Sequence, residues 1–361
     1  MDLFFNNAGP SIPGDHYMID PLQRIDLETI EAFIAQKRYF ILHAPRQTGK
    51  TSCLLALMDH LNAQGTYQAL YANIEHAQAA RGDVKQGIGT VVDLIGLSAQ
   101  HYLKNKALLV WLEENRAKFS TQALLHGLLE FWCSESPKPI VLFLDEVDAL
   151  VGDTLISLLR QIRGGYTQRP SGFPISIVLC GVRDVRDYRI ESPGKEIITG
   201  GSAFNIKAIS LRLGNFSQAE MRALWEQHTT ATGQSFDESI YPELWEDTQG
   251  QPWLVNALGY ELTFLRHDLR DRSIPITLED YWIAREALIQ SRATHLDQLN
   301  HKLSEPRVHR VISAVLASEE NNIDVPPDDM QYVVDLGLIV NRPAVRIANR
   351  IYQECIPREL R

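Results

Sequence analysis

Two short stretches carry residue types whose spacing points to one chemistry. The first is Ala44-Pro45-Arg46-Gln47-Thr48-Gly49-Lys50-Thr51. It follows the phosphate-binding pattern G-x-x-x-x-G-K-[ST], with alanine at the first position. The backbone N–H groups of residues 47–52, Ser52 included, would curl into a nest around a phosphate. A helix beginning at Lys50 would add the partial positive charge of its N-terminus. Gly49 lets the backbone approach without a Cβ in the way. Lys50 would place a point charge on the outer phosphates, and the Thr51 hydroxyl would be a Mg²⁺ ligand. The other reading is a chance match at a strand–helix turn, and Ala44 cannot adopt every conformation open to glycine.

The second stretch is Leu144-Asp145-Glu146-Val147-Asp148, which follows the apolar run Ile140-Val141-Leu142-Phe143. Apolar residues running into Asp-Glu form the Walker B pattern. A strand here delivers Asp145 to the carboxyl edge of the sheet, where open α/β folds bind ligands. Asp145 would hold Mg²⁺ through water. Glu146 is the candidate general base that orients an attacking water. Alternatively, Glu146 and Asp148 are surface carboxylates capping the next helix. A further apolar run, Ile175–Cys180, leads to Arg183, a candidate phosphate sensor. A salt bridge from Arg183 to Asp184 or Asp187 is the competing reading. Arg160, Arg163 and Arg169 could serve as fingers toward a neighbouring subunit, or simply form a solvated face.

These residues need a framework, and the periodicity predicts one. Strands are expected at Tyr39–His43, Tyr67–Ile74, Pro139–Asp145, Ile175–Cys180 and Ile206–Leu213. Runs this continuously apolar are buried on both faces, which implies a parallel sheet between helices. The connections are long enough for crossover helices, and residues 76–136 have room for three. From Phe216 onward the pattern is helical, at Ser217–Thr230, Ser239–Thr248, Pro252–His267 and Leu278–Leu299. Then Pro306–Ser318 and Asp328–Leu336 read as helices. A hairpin over Leu338–Ile347 follows them. That order suggests a winged helix. The expected domains are a core at 1–215 with an N-terminal extension, a helical lid at 216–300 and a winged-helix-like domain at 301–361.

The chain has 361 residues, with 35 Lys and Arg against 45 Asp and Glu and a formal net charge of −10. That balance disfavours a general nucleic-acid coat. The four cysteines, Cys53, Cys133, Cys180 and Cys355, form no CxxC pair and no zinc spacing, so free thiols in a reducing compartment are expected. No signal peptide or membrane-length apolar run is visible, and a cytoplasmic location is expected.

The runs Tyr39–Leu55 and Leu142–Leu150, with Gly250-Gln251-Pro252 opening a helix, resemble the AAA-like ATPases of prokaryotes near the STAND and archaeal-ATPase branches. The resemblance covers roughly residues 10–300. It implies a five-stranded core of order 5-1-4-3-2 with a helical lid, ATP and Mg²⁺ as ligands, and an Arg183 like the STAND arginine sensor. It also implies that Pro252 belongs to a lid motif near the adenine and that His16 and Tyr17 are adenine contacts. The alternative reading of Pro252 is a helix N1 proline. Three functions compete: a nucleotide-driven switch with a protein partner or self-association, a DNA-handling ATPase gripping through the winged helix, and a scaffold with little turnover. Asp328, Asp329 and Asp335 weigh against DNA; Arg342, Arg346 and Arg350 leave it open.

Overall fold

The structure is a computed structural model that describes residues 3–183, 189–190, 198–199, 207–291, 302–317 and 323–359. The chain divides into two compact units. One comprises Ile25–Ala44 and Lys50–Leu213; the other comprises Met1–Arg24, Pro45–Gly49 and Gly214–Arg361.

The N-terminal extension contains two short strands, β1 (Phe4–Phe5) and β2 (His16–Tyr17), paired in parallel. Helix α1 (Leu27–Ala35) follows, its N-terminus capped by the Asp26 carboxylate. The first unit is then built on β3 (Tyr39–His43), α2 (Lys50–Gln64) and β4 (Gln68–Asn73). The long crossover holds α3 (Val84–Tyr102), α4 (Ala107–Asn115) and α5 (Thr121–Glu135). Next come β5 (Ile140–Asp145), α6 (Gly152–Gly164), β6 (Ser176–Gly181), the pair β7 (Arg189–Ile190) and β8 (Ile198–Thr199), and β9 (Lys207–Arg212).

The sheet order is β4-β5-β6-β3-β9, and each pairing is parallel. Numbered by sequence within the sheet, this is the expected order 5-1-4-3-2. Every residue of β5 and β6 is buried. Ile88, Val91 and Ile95 of α3, Leu125 and Leu128 of α5, and Leu155 and Leu159 of α6 share a core with Leu142, Leu144, Ile177 and Leu179. Burial of each such side chain stabilises the unit by about 1.5–3 kcal/mol. This packing fixes the carboxyl ends of β3, β5 and β6.

The second unit is helical. Its helices are α7 (Gln218–Thr232), α8 (Ile240–Thr248), α9 (Pro252–Tyr260) and α10 (Leu278–Gln290). Capping boxes open α7 (Ser217 with Glu220) and α10 (Thr277 with Asp280). The helix expected to reach His267 ends at Tyr260 and gives way to a π-helical turn, Glu261–Leu265. The expected continuation of α10 to Leu299 lies outside the described residues beyond Ser291. Then come α11 (Pro306–Ala317), α12 (Pro327–Asp335), an antiparallel pair β10 (Ile339–Val340) and β11 (Arg346–Ile347), and α13 (Arg350–Glu359). The helix, helix and hairpin thus occur in the expected sequence, with strands of two residues each and a closing helix that the sequence reading lacked.

One apolar core runs through this unit, from Phe5 and Tyr17 through Trp225, Leu254 and Tyr281 to Ile312 and Ile356. A charged knot sits within it. The buried Asp247 carboxylate accepts hydrogen bonds from Tyr281 Oη at 2.7 Å, Arg285 Nε at 2.9 Å and Arg350 Nε at 2.6 Å. Arg285 also pairs with Glu354, and Arg350 with Glu243. Two sequence expectations change as a result. Arg350 is held inside the protein fabric, so it is not a free cation beside the hairpin. Asp335 is buried and accepts from Gln331, so its charge does not face a ligand.

Cys53, Cys133, Cys180 and Cys355 are free and buried. Among the described residues, no helix is long and apolar enough to cross a membrane.

Candidate functional site

Strand β3 ends at His43 and α2 begins at Lys50, so the phosphate-pattern residues form the turn between them. Ala44 continues the strand: its N–H donates to the Gly181 carbonyl at 3.2 Å. Its φ is not positive, so alanine fits where the pattern has glycine. The left-handed turns fall later, at Gln47 (φ 56°) and Gly49 (φ 94°). The Thr48 hydroxyl donates to the Pro45 carbonyl at 2.7 Å and closes the loop. Arg24, a residue the sequence reading missed, donates to the Thr48 carbonyl at 2.6 Å and to the Gly214 carbonyl at 2.8 Å. A Cβ at position 49 would lie 2.6 Å from that guanidinium, which adds a steric reason for glycine. Arg46 is exposed, while Pro45, Gln47, Thr51 and Ser52 are half-buried.

Lys50 is only 5% exposed, and its ammonium donates to the Ala44 carbonyl at 3.0 Å. The lysine therefore folds back onto the start of its own loop. One residue on, Thr51 Oγ1 donates to Asp145 Oδ2 at 2.7 Å. The two sequence motifs, 94 residues apart, meet at that bond.

Asp145 is 0% exposed, so its partners decide its charge environment. Oδ2 also accepts from the Tyr71 hydroxyl at 3.0 Å, and Oδ1 accepts from the Glu146 N–H at 2.9 Å. The Cys180 thiol is a further neighbour; burial, and then the charge of Asp145, push it well above its ordinary range. These hydrogen-bond partners are all neutral. Glu146 itself adopts a left-handed conformation (φ 59°, ψ 40°), an uncommon state for a residue with a side chain. It bends the chain away from the strand and leaves the Glu146 carboxylate half-buried.

Asp148 is a structural residue: its Oδ1 accepts from the Val182 N–H at 3.2 Å, tying the turn after β5 to the end of β6. Arg183, next in the chain, is half-buried at that end. Asp184 and Asp187, its alternative partners, lie outside the described residues. Arg169 stacks on Tyr39 and Tyr166 with its guanidinium 5.0 and 3.4 Å from the ring centroids. It also donates to the Lys37 carbonyl. Arg169 is thus engaged by two rings and a carbonyl at the amino end of β3. Arg160 and Arg163 remain exposed on α6.

The residues expected near the adenine all belong to the second unit. Tyr17 is enclosed in its core, with its phenol 3.2 Å from His228 Nδ1. His16 is half-buried, accepts from the Ile12 N–H at 2.8 Å and packs edge-on against Phe4. Pro252 is buried at the first turn of α9, which Gln251 caps by accepting from the Leu254 N–H. Ahead of it, a side chain at Gly250 would collide with the Phe216 carbonyl at 1.9 Å.

Tyr71 and Cys180 escaped the sequence reading. A faint signal existed for Tyr71. It is a lone hydroxyl in an apolar strand, and Asn73, two residues on, is in register with Asp145. Strand alternation therefore puts Tyr71 on the same face as Asp145.

Residues 34–188 match the family model of the AAA domain. No curated protein matches the chain in sequence. Among solved structures, a Walker-type ATPase of Pyrococcus abyssi is similar in fold, with a TM-score of 0.65 at 15% identity over 98% of this chain and 99% of that one. Cdc6p of Pyrobaculum aerophilum aligns at a TM-score of 0.48 and 16% identity over 94% of each chain. A RuvB variant of Thermotoga maritima aligns at 0.46 and 13% over 91% of each.

Proposed function

We propose that this chain binds and hydrolyses ATP with Mg²⁺ and uses the cycle as a conformational switch, a reading supported by the match of residues 34–188 to the AAA domain model. The observation that carries the reading is the 2.7 Å bond from Thr51 to Asp145. It joins the hydroxyl at the start of α2 to the carboxylate at the end of β5, the pair that a nucleotide-bound magnesium requires.

The residues fit the metal on chemical grounds. Asp145 is a buried carboxylate whose hydrogen-bond partners are hydroxyls, a thiol and an amide. A buried charge is costly without a countercharge, and a cation would supply it. Magnesium, when bound, would offset charge on the phosphate oxygens; Thr51 and Asp145 would hold it. The amides of residues 47–52 would cradle the β-phosphate, with the helix dipole of α2 behind them. Lys50 would exchange the Ala44 carbonyl for phosphate oxygens. Glu146 would orient the attacking water and accept its proton. Arg183 would contact the outer phosphate.

The switch reading draws support from Arg24. It links the Thr48 carbonyl to the Gly214 carbonyl, so a phosphate that reshapes the loop alters what Arg24 holds. A protein partner or a second copy would read the change. The DNA-handling alternative keeps only Arg342 and Arg346 as exposed cations at the hairpin, since Arg350 is committed to Asp247. A salt-dependent DNA titration separates the two, because phosphate contacts give a steep salt slope.

Calorimetry and turnover test the central reading. Lys50→Ala should abolish measurable ATP binding. Glu146→Gln should keep binding and lower hydrolysis at least about 100-fold. Wild-type affinity in the first variant, or wild-type turnover in the second, would remove that residue from its role.

A further inference from the structure

We propose that Tyr71 is a positioning residue: its phenol fixes the Asp145 carboxylate in the orientation that receives the divalent cation, and its seat against Tyr102 holds the phenol in place. The inference rests on the reading of Thr51 and Asp145 as cation ligands.

The geometry of the carboxylate carries the argument. Asp145 Oδ1 is held by the Glu146 N–H at 2.9 Å, on its own chain. Oδ2 is held from two sides, by Thr51 Oγ1 at 2.7 Å and Tyr71 Oη at 3.0 Å. The terminal torsion of an aspartate is soft, so without the donors on Oδ2 the group could swing. Thr51 alone makes a poor anchor, because its hydroxyl oxygen must also face the cation. Tyr71 is a second anchor, and its hydroxyl also lies beside Thr51 and Asn73. It comes from a neighbouring strand whose backbone is pinned in register, Tyr71 opposite Phe143.

The chemical type of the donor matters as much as its place. A phenol orients a carboxylate without cancelling its charge; an arginine in the same place would neutralise it and repel a metal. The ring is fixed in turn. Tyr102 meets it edge-on with centroids 6.1 Å apart, and Tyr102 packs on His101 at 4.7 Å. The Tyr71 N–H also donates to Met58 Sδ at 3.3 Å. Tyr71, Asn73, Leu97, His101 and Tyr102 line a surface cleft, so the support for the phenol reaches the outside of the domain.

The test is a calorimetric titration of ATP into the full chain, once with excess Mg²⁺ and once with EDTA. Wild type, Tyr71→Phe, Tyr102→Ala and Thr51→Ala are compared. In Tyr71→Phe, the EDTA affinity should stay within about twofold of wild type, while the gain from Mg²⁺ falls about tenfold, the scale of one hydrogen bond to a charged group. Tyr102→Ala, which keeps the hydroxyl but loosens the ring, should lower the gain about two- to threefold and serves if Tyr71→Phe folds poorly. A full Mg²⁺ gain in Tyr71→Phe, with the gain lost in Thr51→Ala, would overturn the role of Tyr71 and leave the ATPase reading standing. Equal loss with and without Mg²⁺ would overturn it too, marking Tyr71 as merely structural. A wild type that binds ATP with no Mg²⁺ gain would instead overturn the cation reading of Thr51 and Asp145, and this proposal with it.

Discussion

Asp145 and Asp247 are both 0% exposed, one at the end of β5 and the other near the end of α8. Each accepts a tyrosine hydroxyl, Tyr71 at 3.0 Å and Tyr281 at 2.7 Å. Their remaining partners differ in kind. Asp247 has two guanidinium groups, Arg285 and Arg350, which are themselves bound to Glu354 and Glu243. Asp145 has Thr51, a backbone amide and a thiol as hydrogen-bond partners. The first carboxylate is matched within the protein and ties α8, α10 and α13 together. The second is oriented by neutral hydrogen-bond donors. A buried carboxylate held by neutral donors is costly to charge, and a bound cation would offset that cost. The contrast separates a structural carboxylate from one arranged to receive a ligand.

That contrast can be broken by experiment. The largest effect is expected at the matched site. Asp247→Asn leaves Arg285 and Arg350 facing each other in the interior and should cost about 3–5 kcal/mol. Urea unfolding, followed by the fluorescence of the tryptophans of this unit, measures it. A loss below about 1 kcal/mol would show that the knot is not a matched set of charges.

A second test uses pH on the same helical unit. Burial, opposed by the Gln234 hydrogen bond and aided by the Arg272 charge, lowers the pKa of His228 to about 4. The folded state therefore refuses a proton that the unfolded chain accepts. Stability should be at its plateau above the ordinary histidine value. It should fall as pH drops toward 4, by up to about 3 kcal/mol, and level off below. Across this window the urea midpoint should fall more in wild type than in His228→Gln. A wild type with no loss between pH 7 and pH 4 beyond that of the variant would refute the buried neutral histidine.

The smallest stability effect is expected at Asp145. Asp145→Asn replaces a buried carboxylate that, among the described residues, no guanidinium bonds. It should change stability by less than about 1 kcal/mol, or raise it, while erasing the Mg²⁺ gain in ATP affinity. A loss as large as that of Asp247→Asn would place Asp145 among the structural carboxylates and dissolve the contrast.

The two sites were unequally legible in the sequence, for a physical reason. The loop at 44–51 and the strand end at 145–146 are local patterns whose chemistry is set by adjacent residues. The five-stranded order found is the one the resemblance implies, while the continuous apolar strands by themselves specify a parallel sheet buried on both faces. Tyr71 reaches Asp145 across 74 residues and Arg350 reaches Asp247 across 103, and no local spacing encodes such meetings. The sequence accordingly reads Arg350 as a cation beyond the hairpin and Asp335 as an acid on the helix before it. The strands at Phe4–Phe5 and His16–Tyr17 are two residues long, too short for alternation to announce them. Composition and periodicity do report on propensity and burial, but they are silent on which buried charge finds which partner.

The most direct measurement is a crystal structure with a non-hydrolysable ATP analogue and Mg²⁺. The account predicts a metal about 2.0–2.1 Å from Thr51 Oγ1 and beside Asp145, the distance magnesium demands, with the β-phosphate held by the amides of residues 47–52 and Lys50 turned onto it. An analogue bound elsewhere, or a metal placed away from the Thr51–Asp145 pair, would contradict it.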